Sequence, residues 1–143
     1  MPTNLLCPSA LDDRPNAVVF GVVDNQGDTP AVAALQNVVP LIFIRHLIPA
    51  TVAVAEVVRV ASNCAEDNCR HFTGHDCSLI HRIVADLPKV VRRLSSCAVR
   101  GSCRWWHQER AQACFRCPQI VTAPHAPSTA MIKLATPNPH ADR

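Results

Sequence analysis

The stretch CAEDNCRHFTGHDCSLIHRIVADLPKVVRRLSSCAVRGSCRWWHQERAQACFRC, residues 64–117, carries seven of the eight cysteines of the chain: Cys64, Cys69, Cys77, Cys97, Cys103, Cys114 and Cys117. A single cysteine packs as a small apolar side chain, but that role gives seven of them no reason to gather. In a reducing compartment, thiols in this number act as metal ligands more readily than as disulfides. The fold is therefore expected to close around metal in this stretch. Its remaining elements should serve to bring the thiols together.

The strongest local motif is Cys114-Phe115-Arg116-Cys117 followed by Pro118. A C-x-x-C turn doubles the backbone back, so both sulfurs can reach one centre. The Cys-Pro pair recurs at Cys7-Pro8, and cysteine followed by proline marks iron–sulfur ligand runs. Two four-ligand groupings follow. Cys97, Cys103, Cys114 and Cys117 form one complete set. Cys64, Cys69 and Cys77 form most of another, its fourth member open between Cys7 and His81. His81 follows Cys77 by one helical turn and would share its face, whereas Cys7 would use all eight thiols.

The choice of metal rests on spacing and surroundings. The series Cys64, Cys69, Cys77, His81 loosely resembles a CCCH zinc finger, but its middle gap departs from that pattern, and only one C-x-x-C knuckle is present. Irregular spacing, two Cys-Pro pairs and an Arg-rich, apolar environment suit one or two [4Fe–4S] clusters better, with zinc as the alternative. Arg70, Arg100, Arg104 and Arg116 are available to offset the negative charge of a thiolate-ligated cluster. Trp105 and Trp106 are expected to wall the cofactor from water.

Composition agrees with a fold that needs such help. Apolar residues make up 48% of the 143 residues, yet there are only four Phe, two Trp and no Tyr, and large aromatic rings dominate burial. Small cores are commonly supplemented by metals or disulfides. The formal charge of +3 is too weak to imply nucleic acid by itself. Basic residues exceed acidic ones within residues 64–117, and Trp105, Trp106 and Phe115 could stack on bases, so a zinc-stabilised interaction or nucleic-acid-binding module is the alternative function. Residues 31–61 are apolar but broken by Pro40, Arg45, His46, Pro49, Glu56 and Arg59, which excludes an uninterrupted span of about 20 residues. The start of the chain lacks a basic, then apolar, leader. A cytoplasmic protein without membrane contact is expected.

Hydrophobic periodicity supplies the elements. Residues 17–24 (AVVFGVVD) read as a buried strand ending in a turn at Asn25–Asp28. A short helix is expected over Ala31–Val38 and a strand over Leu41–Leu47, although that run also fits a buried helix. A helix over Ala50–Ser62 would deliver Cys64 from its end, and 63–74 reads as a polar loop. Asp76 would cap a helix running to Leu87 on the stripe Leu79, Ile80, Ile83, Val84, Leu87. Pro88 would restart a helix through Leu94, and Trp105–Ala113 would form the last one. The fold class is then α+β: a segment over 1–14, a single metal-binding domain over 15–121 (strands in 15–62, the Cys-rich helical part in 63–121), and a Pro-rich flexible tail over 122–143 in which Met131–Leu134 could dock. Gly-rich phosphate loops, G-x-S-x-G elbows and H-E-x-x-H helices are missing from the sequence, so no self-contained catalytic site is recognised. The function expected is an iron–sulfur accessory protein, in electron transfer or redox sensing, working with a larger partner such as an oxidoreductase.

Overall fold

A computed structural model describes residues 4–24, 31–122 and 129–136. The fold is a small α+β domain built on a four-stranded antiparallel sheet of order β1-β4-β2-β3. The strands are β1 (Leu6–Cys7), β2 (Val18–Asp24), β3 (Ala31–Pro40) and β4 (Val58–Asn63). The helices are α1 (Leu41–Ile44), α2 (Val54–Val57), α3 (Ser78–Asp86), α4 (Arg104–Glu109), α5 (Ala111–Cys114) and α6 (Thr129–Ala135), with 3₁₀ turns at Arg45–Leu47, Glu66–Asn68, Arg100–Ser102 and Cys117–Gln119.

Strand β2 falls where its β-branched run predicts; the turn expected after it lies outside the described residues. Three neighbouring expectations are corrected. Residues 31–38 belong to β3 and not to a helix, because the segment pairs with β2 through Val19↔Val39 and Gly21↔Ala34. The absence of a side chain at Gly21 allows that pairing. A Cβ there would meet Val32 Cγ1 at 2.7 Å and the Ala33 carbonyl at 3.2 Å, inside contact distance. Leu41–Leu47 is α1 followed by a 3₁₀ turn, the helical form its apolar run also allows. The expected helix over 50–62 shrinks to the single turn α2, and Val58–Asn63 is a strand between β1 and β2.

Alternation along β4 decides what each face of the sheet covers. Val58 and Val60 join Val19, Leu41, Val54 and Ala10 in one cluster. Arg59 and Ala61 point the other way, where Ala61 packs with Phe20 and Val99. This second face meets the Cys-rich part, whose own core gathers Ile80 and Ile83 of α3, Trp105, Ala113, Ile120 and Leu134. The α3 stripe is thus buried as its period predicts, but its N-cap residue is Cys77 rather than Asp76. No helix forms after Pro88, where Val90 and Leu94 are exposed. The expected helix over 105–113 divides in two at Arg110, whose φ of 54° interrupts the helical path, a conformation costly for a residue with a side chain. Part of the stretch expected to be an extended tail is helical: α6 buries Leu134, and the Leu134 carbonyl accepts a bond from Arg82 Nε at 3.0 Å. Among the described residues no helix is long and apolar enough to cross a membrane.

Candidate metal centre

The N-terminal thiols arrive from four separate elements. Cys7 closes β1, beside Ser62 on β4. Cys64 follows β4 directly, its amide held by the Leu5 carbonyl at 2.9 Å. A 3₁₀ turn, entered through a positive φ at Glu66 (48°), brings the chain back so that Cys69 N–H reaches the Glu66 carbonyl at 2.8 Å. Cys77 stands at the N-terminus of α3, bonded at both backbone groups by Gln108: its amide donates to Gln108 Oε1 at 2.9 Å, and Gln108 Nε2 donates to its carbonyl at 2.9 Å.

These four residues line one cavity of about 350 Å³ together with Phe72 and Trp105. Its lining includes Arg14, Arg70 and Arg104 and, among the described residues, no carboxylate. The Cys7 thiol is pushed up to about 12 by desolvation, against the pull of the Ser9 amide, with the charges of Cys77, Cys64 and Cys69 adding to the rise. Burial also raises the Cys77 thiol; the Ile80 and Leu79 amides and the Trp105 indole oppose it. A thiol so placed stays protonated at neutral pH unless a cation takes it as thiolate.

The C-terminal thiols come from one short run of chain. Cys103 caps α4, Cys114 ends α5, Cys117 opens the following 3₁₀ turn and Cys97 packs beside Val99. Burial pushes Cys103 up to about 12, opposed by the Trp106 and Trp105 amides and reinforced by Cys117 and Cys114. Cys114 is raised by burial and eased by the Arg100 guanidinium, with Cys117 and Cys97 acting on it as like charges. The break at Arg110 lets α5 turn away from α4, so that Cys114 and Cys117 face Cys103.

His81 stands apart from both groups. It is half exposed, its Nδ1 lies 3.3 Å from Glu109 and its Nε2 lies 4.0 Å from Asp76. The fourth side chain at Cys64, Cys69 and Cys77 is Cys7. Among the described residues no three His, Cys, Asp or Glu side chains are placed so that they could hold a single metal ion.

Three of the sulfurs accept a hydrogen bond among the described residues, and N–H groups near Cys7, Cys77, Cys103 and Cys114 ease the rise of those thiols. Arg104 Nε donates to Cys64 Sγ at 3.1 Å, His71 N to Cys69 Sγ at 3.4 Å and Arg59 Nη2 to Cys117 Sγ at 3.4 Å. Of the arginines expected to balance charge, Arg104 bonds to the Cys64 sulfur, Arg100 lies near enough to ease the Cys114 thiol, and Arg70 lines the cavity. Arg116 instead ties the Leu87 carbonyl at 2.8 Å and Gln112. Trp105 is buried against the first cavity, whereas the Trp106 ring has the Arg100 and Arg110 guanidinium groups each 5.6 Å from its centre.

Sequence reasoning assigned no role at the site to Arg59 or Gln108. Arg59 has no exposed surface. Its guanidinium donates to the Pro8 carbonyl at 2.6 and 2.9 Å and to the Cys117 and Ile120 carbonyls at 3.0 and 2.9 Å. It lies 5.2 Å from the Phe20 ring and 5.8 Å from Trp105. The signal available was its position inside the run Val57-Val58-Arg59-Val60-Ala61. Comparison of the chain with protein-family models, with curated proteins and with solved structures finds no match.

Proposed function

We propose that each set of four cysteines holds a [4Fe–4S] cluster and that the chain serves a larger partner by electron transfer or redox sensing. The observation that carries this reading is the setting of the sulfurs: partly or fully buried, hydrogen-bonded at Cys64, Cys69 and Cys117, and, in the N-terminal cavity, flanked by arginines with no carboxylate among the described lining residues. A neutral thiol is a weak acceptor and needs no such array. A thiolate bound to metal does, and hydrogen bonds to sulfur with limited solvent access are the levers that set a cluster's potential.

Zinc fits these positions less well. Two thiolates on one tetrahedral zinc stand about 3.8 Å apart, given Zn–S bonds of about 2.3 Å. Cys7, Cys64, Cys69 and Cys77 line a cavity of about 350 Å³, room for a body wider than one ion. When bound, such a cluster supplies a reversible electron couple.

The chain's own residues then have distinct tasks. The cysteines supply the ligands, and Trp105 and Phe72 keep water from the first set. Arg104 and Arg100 compensate charge at Cys64 and Cys114. A partner is supported by apolar surface away from both sets: Ile42, Phe43 and Leu47 are 77%, 68% and 69% exposed, and apolar groups left in water together mark interaction sites.

The test is anaerobic reconstitution with iron and sulfide followed by redox titration. A brown protein with a broad visible band that bleaches and returns reversibly is expected. A colourless protein that binds zinc and shows no couple contradicts the reading.

A further inference from the structure

The two cysteine sets share a wall, and the same side chains touch both. Trp105 is the clearest case: it lines the cavity of the N-terminal set and packs in one buried cluster with Cys77 of that set and with Cys103 and Cys117 of the other. Its helix, α4, reaches the N-terminal set again through Arg104 at the Cys64 sulfur and through the two hydrogen bonds between Gln108 and the Cys77 backbone. Arg59 lies in the same layer. One edge of its guanidinium holds the carbonyl of Pro8, next to Cys7, and the other holds the carbonyl and sulfur of Cys117. The backbone joins the sets too, since Leu6 bridges to Cys103.

Arg59 calls for an explanation of its own. A buried guanidinium is expensive unless an anion answers it, and among the described residues it makes no salt bridge. Carbonyls satisfy its N–H groups but not its charge. The group within its reach that can become an anion is Cys117, and the next such group across Pro8 is Cys7. Resting on the reading that each set binds a cluster, we infer that Trp105 and Arg59 link the two centres as one electronically coupled pair, with Arg59 as their shared counter-charge.

The consequence is that neither centre titrates independently. Trp105 and Arg59 are both buried, so a negative charge added on one side of them is weakly screened and acts on the other. The fixed charge of Arg59 lowers the energy of adding an electron on either side, more so at the C-terminal set, which it touches at sulfur.

The experiment is electron paramagnetic resonance of the reconstituted full chain, after analysis for iron and sulfide. A half-reduced sample is expected to give a simple signal, and a fully reduced one a broadened, split spectrum that is not twice the first. A fully reduced spectrum that is the plain sum of two unsplit signals overturns the coupling. A chain that takes up no iron fails earlier, and that failure belongs to the cluster reading and not to this inference. Arg59→Met, still loaded, is expected to lower both midpoint potentials, the C-terminal one further, and Arg59→Lys to restore most of the shift; unmoved potentials in a fully loaded Arg59→Met overturn the counter-charge role. If Arg59→Met does not fold, the role is decided in an Arg14→Lys, Arg70→Lys, Arg100→Lys, Arg104→Lys chain labelled with ¹⁵N arginine. There a ¹⁵N hyperfine coupling from Arg59 is expected on the reduced centre, and its absence overturns the role.

Discussion

The two cysteine sets reach the same surroundings by opposite routes. The N-terminal set draws on β1, the end of β4, a 3₁₀ turn and the start of α3, so it exists only once the sheet has paired Leu6 with Asn63. The C-terminal set lies within residues 97–117 and is shaped by local features, two short helices and the break at Arg110. The first is a product of topology and the second of turns. What they have in common is α4, and the comparison implies that damage to the sheet should reach the first set before the second.

Metal removal should have the largest effect. On the proposed reading, ligand binding stabilises the helical part, because such binding is itself folding free energy. The metal-free chain is therefore expected to lose most of its far-ultraviolet helical signal and its cooperative melt. If a fully chelated sample keeps both, the helical part stands on its own core and the comparison loses its basis.

Single ligand changes come next and separate the two routes. Cys7→Ser is expected to remove about half the iron, as one of two four-iron centres, while leaving the C-terminal centre spectroscopically intact. Cys114→Ser and Cys97→Ser should each do the reverse. Full iron retention in Cys97→Ser beside loss in Cys114→Ser would dismantle the C-terminal set as drawn.

A packing change should disturb both sets together. Ile80 has no exposed surface and sits in the cluster that joins Cys77, Cys103 and Trp105. Ile80→Ala is expected to cost about 2–5 kcal/mol in chemical denaturation and to weaken iron retention at both centres. An effect confined to one centre would mean that the shared core couples them less than the contacts suggest.

How far these features were legible beforehand follows from the range of the forces behind them. The α3 stripe is local, so its period could be read directly, and the C-terminal grouping follows from short spacings. Residues 31–40 could not be read, because Ala, Leu and Val there suit helix or strand, and the register with β2 decides between them. The same holds for Val58–Asn63, where helical spacing of valines concealed a strand. Spacing alone does not separate Cys7 from His81. Separating them takes a strand pair between residues distant in the chain, together with Glu109 and Asp76 drawing the imidazole outward. Arg59 was read as a polar interruption, since nothing local distinguishes an arginine facing solvent from one facing two sets of thiols.

The smallest effect is expected at His81. As half of a partly exposed pair with Glu109 it contributes no more than about 1 kcal/mol, and His81→Ala should keep its full iron content. Loss of iron in that variant with none in Cys7→Ser would exchange the two candidates for the fourth ligand.

Native mass spectrometry of the anaerobically reconstituted chain tests the central claim most directly. The wild-type protein is expected to carry the mass of two [4Fe–4S] clusters, and Cys7→Ser the mass of one. A wild-type chain that emerges with zinc alone, or with no added mass, would contradict the assignment of both sets.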